Sequence, residues 1–446
     1  MKSEPTDTDV VIVGGGFSGT MMAAQLCARG LCVTLIEGGG RAGQGTAYST
    51  SDAVHLLNVP AAKMSAWPDR PADFVAAGHE AGSFAPRRDY GVYLRAILDQ
   101  AVADGIAVVA ARAVSAQRAG NWRVTFEDGR TVTARALVLA QGNQPPEPMR
   151  VGAGIDGGLF VNNPWGQEAR AVIERVVRDD GAVLILGTGL TMVDLVLSLD
   201  AAGHRGRIVA LSRRGQVPRG HAPHDAAPVE FDDVPQGNVV ALWRWLRRRS
   251  ATVGWRGAVD SLRPHAQALW RGLSNSEQRR FLRHARPYWD VHRHRIAPQV
   301  TGQLTAMISD GRLEVVAGRL GAINEERNSL IVEIARRGRP LTPLSFAESP
   351  SPSRGEGFSA LFNCTGPLGA MGRTRDPLLR NMIDQGVVAI DALGMGLAVD
   401  GESRAGERVW ALGPLTKGAF WEIVAVPDIR EQVASVADRI ARELEA

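Results

Sequence analysis

Apolar positions gather into short continuous runs at two places, and each run leads into glycines and then into a longer apolar segment. Val10 to Val13 opens the first; Gly14-x-Gly16-x-x-Gly19 follows, then a helical stretch from Phe17 to Arg29 and a second run, "LCVTLIE", ending at Glu37. A short apolar run bounded by turn residues is the pattern of a parallel strand buried on both faces. Val183 to Leu186 starts the same scheme again, with Gly187-x-Gly189, a helical segment and the strand "RIVALS". Each unit also carries an alternating stretch that predicts a hairpin. In the first it is "NWRVTFEDGRTVTARALVLAQGNQPP", turning at Glu127-Asp128-Gly129-Arg130, with a buried strand after it and a breaker at Gly142. In the second it is "GRLGAINEERNSLIVEIARRG", with "ALFNCTGP" as the closing strand.

An internal repeat of this size predicts two related nucleotide-binding units. The expected fold is α/β: two Rossmann-like dinucleotide-binding domains, each with a β-meander, plus a helical insert. The first domain is expected over 1–150, the second over 151–357 with a tryptophan-rich insert at about 237–298, and a return of the chain to the first over 358–446. The Ser/Pro/Gly-rich "ESPSPSRGEG" reads as an exposed loop.

The two glycine turns differ chemically. Gly14, Gly16 and Gly19 supply a tight turn, close backbone approach to a pyrophosphate and helix–strand packing, and Phe17 and Ser18 open a helix whose free N–H groups face the phosphates. Glu37, eighteen residues after Gly19, can accept both ribose hydroxyls and repels a 2′-phosphate. In the second unit Met192 stands where a third glycine belongs, but Gly187 and Gly189 survive, with Leu190 and Thr191 opening the helix. Ser212-Arg213-Arg214 occupies the place of Glu37, and a hydroxyl with two guanidiniums suits the 2′-phosphate of NADPH. A chain that holds one dinucleotide and receives NADPH beside it is most simply a flavoprotein, with FAD in the first site. "WALGPL" then places Gly413 near the pyrophosphate or ribityl chain, and a helix beginning near Pro427 points its N-terminus at the flavin.

Composition narrows this little. The 446 residues are 45% apolar and 22% charged with a net charge of +4, the ordinary soluble range, and no run of eighteen apolar residues exists. "MKSEPTDTD" does not read as a secretory signal, and three cysteines without a CxxC or metal spacing point to a reducing cytoplasm. Basic residues cluster in "WRWLRRRS" and "HRHR" without a nucleic-acid-binding module, so neither nucleic acid nor membrane is an expected partner. No metal site is expected, because the HxH of His292 and His294 lacks a third ligand.

Several of these segments together resemble one bacterial flavoprotein monooxygenase family. They are "GQGTAYSTSDAVHLLNVPAAKMSAWPDRPADF", "GTGLTMVD", "YWDVHRHRIAP" and "FNCTGP". The family contains a FAD-dependent urate hydroxylase and an aspartate N-hydroxylating, nitrosuccinate-forming monooxygenase. The resemblance implies that NADPH reduces FAD and that a flavin C4a-hydroperoxide passes one oxygen atom of O2 to a small nucleophilic substrate. "LAQGN", with Gly142, and "NCTGP", with Thr365 and Gly366, match the turns where the chain passes between domains. The FxGxxxH pattern of ketone- and amine-oxidising flavin enzymes is absent, with "LFVNNPWGQ" before the second strand instead.

The expected partners are thus O2 and a small anionic, nitrogen-containing molecule, hydroxylated on a ring like urate or on nitrogen like an amino acid. A homodimer is left open, and the alternative is an NAD(P)H-dependent flavin oxidoreductase without oxygen insertion. His55 and Asn58 are placed along the flavin; Asn58 is either a hydrogen-bond partner of the ring or a plain turn residue before Val59-Pro60. Arg293 and Arg295 are the candidates for binding the substrate anion, with NADPH phosphates and a solvated helix end as the other readings. If that segment is helical, His292 and Arg295 share a face with Tyr288 and Trp289.

Overall fold

The computed structural model describes residues 7–149, 154–155, 158–326, 329–336, 342–343 and 357–445; apart from Gly357, the Ser/Pro/Gly-rich loop lies outside the described residues. In chain order the strands of the first half are β1 (Asp7–Val13), β2 (Val33–Ile36), β3 (Ala107–Val109), β4 (Ala113–Ala119), β5 (Asn121–Phe126) and β6 (Thr131–Leu139). Then come β7 (Phe160–Val161), β8 (Val183–Leu186), β9 (Ile208–Ser212), β10 (Leu313–Glu326), β11 (Ser329–Arg336), β12 (Thr342–Pro343) and β13 (Ala360–Asn363). The chain closes with β14 (Arg404–Gly406), β15 (Val409–Ala411) and the helix Val426–Glu445.

They form two sheets built alike. In the first the order is β14-β15-β6-β1-β2-β3, with the β4–β5 hairpin attached to β6. In the second it is β12-β11-β10-β9-β8-β13-β7. Both halves are α/β with a parallel centre: β1 lies between β2 and β6, and β8 lies between β9 and β13. Val10, Val11, Ile12 and Val183, Leu184, Ile185 are all fully buried, which is why these runs show no alternation.

The strand pairing refines one boundary. β13 pairs with β7 and β8, so a break at 358 would cut a strand from its own sheet. The second unit closes at Asn363, because a strand belongs where its hydrogen bonds go.

The insert consists of the helices Val239–Leu262, Ala266–Arg271, Asn275–Arg280 and Arg286–Arg293 with short turns between them. Gly254, at φ +73°, breaks the first of these. Its apolar faces pack against Trp421 and Met395, so the insert of the second unit rests on the C-terminal segment of the first. Among the described residues, no helix is long and apolar enough to cross a membrane.

Candidate functional site

The two glycine turns have the same backbone. Gly14 has φ +106° and Gly187 φ +102°, a region open to glycine at no steric cost. Each is also pressed against the end of its closing strand. A Cβ on Gly14 would stand 2.5 Å from the Ala140 carbonyl oxygen, and one on Gly187 would collide with that of Cys364. The turns "LAQGN" and "NCTGP" therefore sit in matching places beside the two glycine turns, with Gly142 at φ +65° and Gly366 at φ +99°. In the second, Asn363 Oδ1 accepts from the backbone N–H and hydroxyl of Thr365 at 3.2 and 2.7 Å.

The third position differs. A Cβ on Gly19 would overlap the Gly14 carbonyl oxygen, so the first helix is seated directly on its turn. Met192 is fully buried, so the side chain that the fingerprint forbids serves as core in the second unit.

The surroundings differ more. Over the first turn runs the loop after Glu37: the Gly43 N–H donates to the Gly15 carbonyl at 2.8 Å, and a Cβ on Gly45 would stand 2.8 Å from Gly16 Cα. Gly413 closes the other side. At φ +58°, with a would-be Cβ 2.9 Å from Ser18 Oγ, it touches the helix that begins at Phe17. Its N–H donates to Gln432 Oε1 at 2.8 Å, which ties it to the helix carrying Pro427. The Glu37 carboxylate accepts from Gly15 and Gly39 N–H at 2.7 and 2.6 Å. That fixes the acid at the turn with lone pairs left for a ribose.

Over the second turn the described residues build nothing comparable. A Cβ on Gly189 would meet none of their atoms within 4 Å. Ser212 Oγ accepts from Thr188 Oγ1 at 2.9 Å and from Gly215 N–H at 3.0 Å, which anchors the corner to the glycine turn. Arg213 is exposed, and Arg214 lies 5.6 Å over the Tyr288 ring.

The units are locked to each other by a polar clamp. Arg87 pairs with Asp194 at 2.9 Å, with side chains 14% and 7% exposed. Burial pushes the Asp194 carboxyl up, and the Arg87 guanidinium opposes this. Asp52 accepts from the Ser198 hydroxyl at 2.6 Å. His55, expected along the flavin, is held in this clamp: Nδ1 meets Thr50 Oγ1 at 2.8 Å, and Nε2 meets Ser198 Oγ at 2.8 Å and the Asp194 carbonyl at 3.1 Å. Both ring nitrogens are thus taken by protein. Asn58 stays near the junction through its backbone, whose carbonyl accepts from His221 Nε2 at 2.9 Å. Beside the clamp lies a cleft of about 370 Å³, lined by Arg41, Thr46, Trp165, Arg170 and Thr191 among others.

The two candidate anion-binding arginines part company. The helix stops at Arg293, and His294 leaves it with ψ +76°, so Arg295 does not share a helical face with Tyr288 and Trp289. Arg295 is 3% exposed and makes a two-armed pair with Asp260 at 2.8 and 3.1 Å, which leaves it a structural ion pair. Arg293 donates from Nε to Glu422 at 2.9 Å, while its Nη2 is buried without a partner among the described residues. The other Glu422 oxygen accepts from Trp289 Nε1 at 2.5 Å. Glu422 holds this position at φ +68°, a strained conformation for a non-glycine residue, and is 7% exposed. Asp428, in the first turn of the C-terminal helix, also has a buried unpartnered oxygen; burial raises its pKa, against Arg263 and Arg293. The sequence places Phe420, Trp421 and Glu422 just before the helix that begins near Pro427-Asp428, but it does not mark Asp194 or assign Glu422 and Asp428 a partner. The one signal is an acid inside an apolar helix, as in "TMVDLVL".

Residues 11–144 match a family model described as FAD-NAD(P)-binding. No curated protein matches the chain. Among solved structures it is similar to the reduced ornithine hydroxylase PvdA of Pseudomonas aeruginosa, at TM-score 0.63 and 16% identity over 98% of this chain and 100% of that one. The ornithine N-hydroxylase KtzI of Kutzneria sp. 744 matches with TM-score 0.63 and 16% identity, again over 98% and 100%. The bacillithiol disulfide reductase Bdr of Staphylococcus aureus has TM-score 0.59 and 14% identity over 98% and 99%. At these identities the likeness is one of fold: the chain has the two-dinucleotide-domain flavoprotein architecture.

Proposed function

We propose that the protein is an NAD(P)H- and O2-dependent flavoprotein monooxygenase acting on a small anionic, nitrogen-containing substrate. The observation that carries this reading is the pair of turns, one enclosed by its own chain and one open, in a fold shared with flavin N-hydroxylases. An enclosed turn suits a resident dinucleotide and an open one suits a nucleotide that comes and goes. FAD, when bound, supplies hydride acceptance and oxygen activation.

The chain's own residues then have defined tasks. Gly14, Gly16 and the helix N-terminus at Phe17–Ser18 hold the FAD pyrophosphate, and Glu37 holds its ribose. Gly413 and the N-terminus near Pro427 bound the flavin end. Gly187, Gly189, Leu190 and Thr191 take the pyrophosphate of NADPH, and Ser212, Arg213 and Arg214 take its 2′-phosphate. The Asp194–Arg87–His55 clamp fixes the distance between the two sites, on which hydride transfer depends. Arg293, aimed by Glu422, offers Nη2 to the substrate anion. The fold neighbours include disulfide reductases, but thiol relay fits poorly. Cys364 is buried and its thiol is pushed up by burial, and Cys27 ends the first helix about 16 Å of helix away from the glycine turn.

The test is to follow NADPH oxidation, oxygen uptake and peroxide release with urate, aspartate, ornithine and related anions. A substrate that lowers peroxide released per NADPH is the expected result. Stoichiometric peroxide with every anion, and no oxygenated product, would leave a flavin oxidoreductase.

A further inference from the structure

The cleft of about 370 Å³ beside the clamp belongs to neither glycine turn. None of Gly14, Gly16, Glu37 and Gly413 lines it, and of the groups placed at the second turn only Thr191 does. Its walls come from both units. Arg41 and Asp52 stand on one side, and Trp165, Arg170 and Glu174 stand on the other, beside the helix Leu190–Ala201. A cleft of this volume falls in the range of small-molecule sites.

Three kinds of group face this space with bonding capacity left over. Arg41 makes no side-chain hydrogen bond or ion pair among the described residues, and Arg170 is exposed and reaches only Ser51 Oγ, at a long 3.4 Å. Trp165 meets the His55 ring at 80° with centroids 5.9 Å apart, and no other described ring stacks on it. Glu174, exposed one helical turn beyond Arg170, is likewise without a partner among the described residues. Asp52 is already engaged, because it accepts from the Ser198 hydroxyl at 2.6 Å. The groups left to a ligand are therefore two guanidiniums, an indole face and one carboxylate.

Guanidiniums suit a phosphate, an indole face suits a base, and a carboxylate suits the two hydroxyls of a ribose. One small molecule uses all of them. We propose that the cleft is a third nucleotide site, separate from the two glycine turns, and that it takes a nucleoside monophosphate. The phosphate rests on Arg41 and Arg170, the base stacks on Trp165, and Glu174 accepts from the ribose. Since Arg41 comes from the first unit and the other three from the second, the bound nucleotide ties the units together beside the Arg87–Asp194 clamp. The site is independent of which molecule the enzyme oxygenates.

The test measures binding without turnover, so it fails or succeeds apart from monooxygenation. The FAD-loaded protein is saturated with NADP+, so that both dinucleotide sites are filled, and is titrated with AMP in a calorimeter. One AMP per chain is expected, with FAD and NADP+ retained. Adenosine and ribose 5-phosphate, which each lack one anchor, are expected to bind at least about tenfold more weakly. Arg170→Gln is expected to weaken AMP about 30-fold and leave adenosine unchanged. Trp165→Ala is expected to weaken AMP about tenfold and leave ribose 5-phosphate unchanged. Ala202→Trp, at an exposed lining position just past the helix Leu190–Ala201, is expected to abolish AMP binding while FAD content and NADP+ affinity stay as in the wild type. No AMP binding, AMP that releases NADP+ or FAD mole for mole, or ribose 5-phosphate as tight as AMP would overturn the proposal. Unchanged AMP affinity in folded Ala202→Trp protein would do the same, and the wild-type series decides even if a variant fails to fold.

Discussion

The two glycine turns share one backbone and differ in what surrounds them. Around the first, the loop carrying Gly43 and Gly45 and the turn at Gly413 bring two segments of chain to the nucleotide site, each as close as glycine allows. Around the second, Gly189 faces open space and the corner is finished by an exposed Arg213. The same strand–turn–helix device thus serves for retention or for exchange, according to how the rest of the chain covers it. The difference also accounts for Met192. The first helix is seated on its own turn at Gly19, whereas the second has room for a side chain in the core.

The largest effect is expected where coverage and packing coincide. Gly19→Ala puts a methyl into the Gly14 carbonyl oxygen, and is expected to leave protein that is insoluble or free of flavin, read from the absorbance ratio of flavin to protein. Retention of flavin at the wild-type ratio would refute the seating argument. Next comes the corner of the open turn. Arg213→Ala combined with Arg214→Ala is expected to raise the KM for NADPH about 100-fold and to leave that for NADH nearly unchanged, since charge-assisted hydrogen bonds contribute about 1.5–3 kcal/mol each. An equal rise for both nucleotides would remove the 2′-phosphate assignment.

Gly189→Ala sharpens the contrast. With φ −87° and nothing for its methyl to strike, it should fold normally and keep its flavin. Because the methyl intrudes on the pyrophosphate instead, KM for NADPH and NADH should rise together by about tenfold, which is ~1.4 kcal/mol. Loss of flavin in this variant would mean that the two turns are not independent.

The smallest effect concerns the junction. Burial holds the His221 imidazole below the ordinary histidine range, opposed by its hydrogen bond to the Asn58 carbonyl. A group with a depressed folded pKa contributes stability that is present above its unfolded pKa of about 6.5 and is lost as pH falls through the folded value. Urea unfolding midpoints should therefore drop between pH 7.5 and 5.5, and His221→Phe should flatten that slope. An unchanged slope would show that His221 titrates alike in both states.

Much of this architecture is legible in the sequence because it is local. Apolar runs, glycine spacing and the acid at Glu37 lie within about forty residues of one another, and the same rules apply twice. The roles of His55, Arg293 and Arg295 are not legible there, because each is decided by a partner far along the chain. Ser198, Glu422 and Asp260 carry no mark that assigns them to those residues. A cluster such as "HRHR" shows where positive charge is, but not which charge is already neutralised. The closing strand of the second unit is legible as "ALFNCTGP"; that Ala360–Asn363 lies between β8 and β7 is decided by pairing.

The most direct measurement is the nucleotide content of the purified protein after gel filtration, followed by anaerobic titration with NADPH. Enclosure of the first turn and openness of the second predict close to one FAD per chain, no co-eluting nicotinamide nucleotide, and saturable reduction of the flavin by added NADPH. Flavin lost on the column, or NADP(H) retained in equal amount with FAD, would contradict the account.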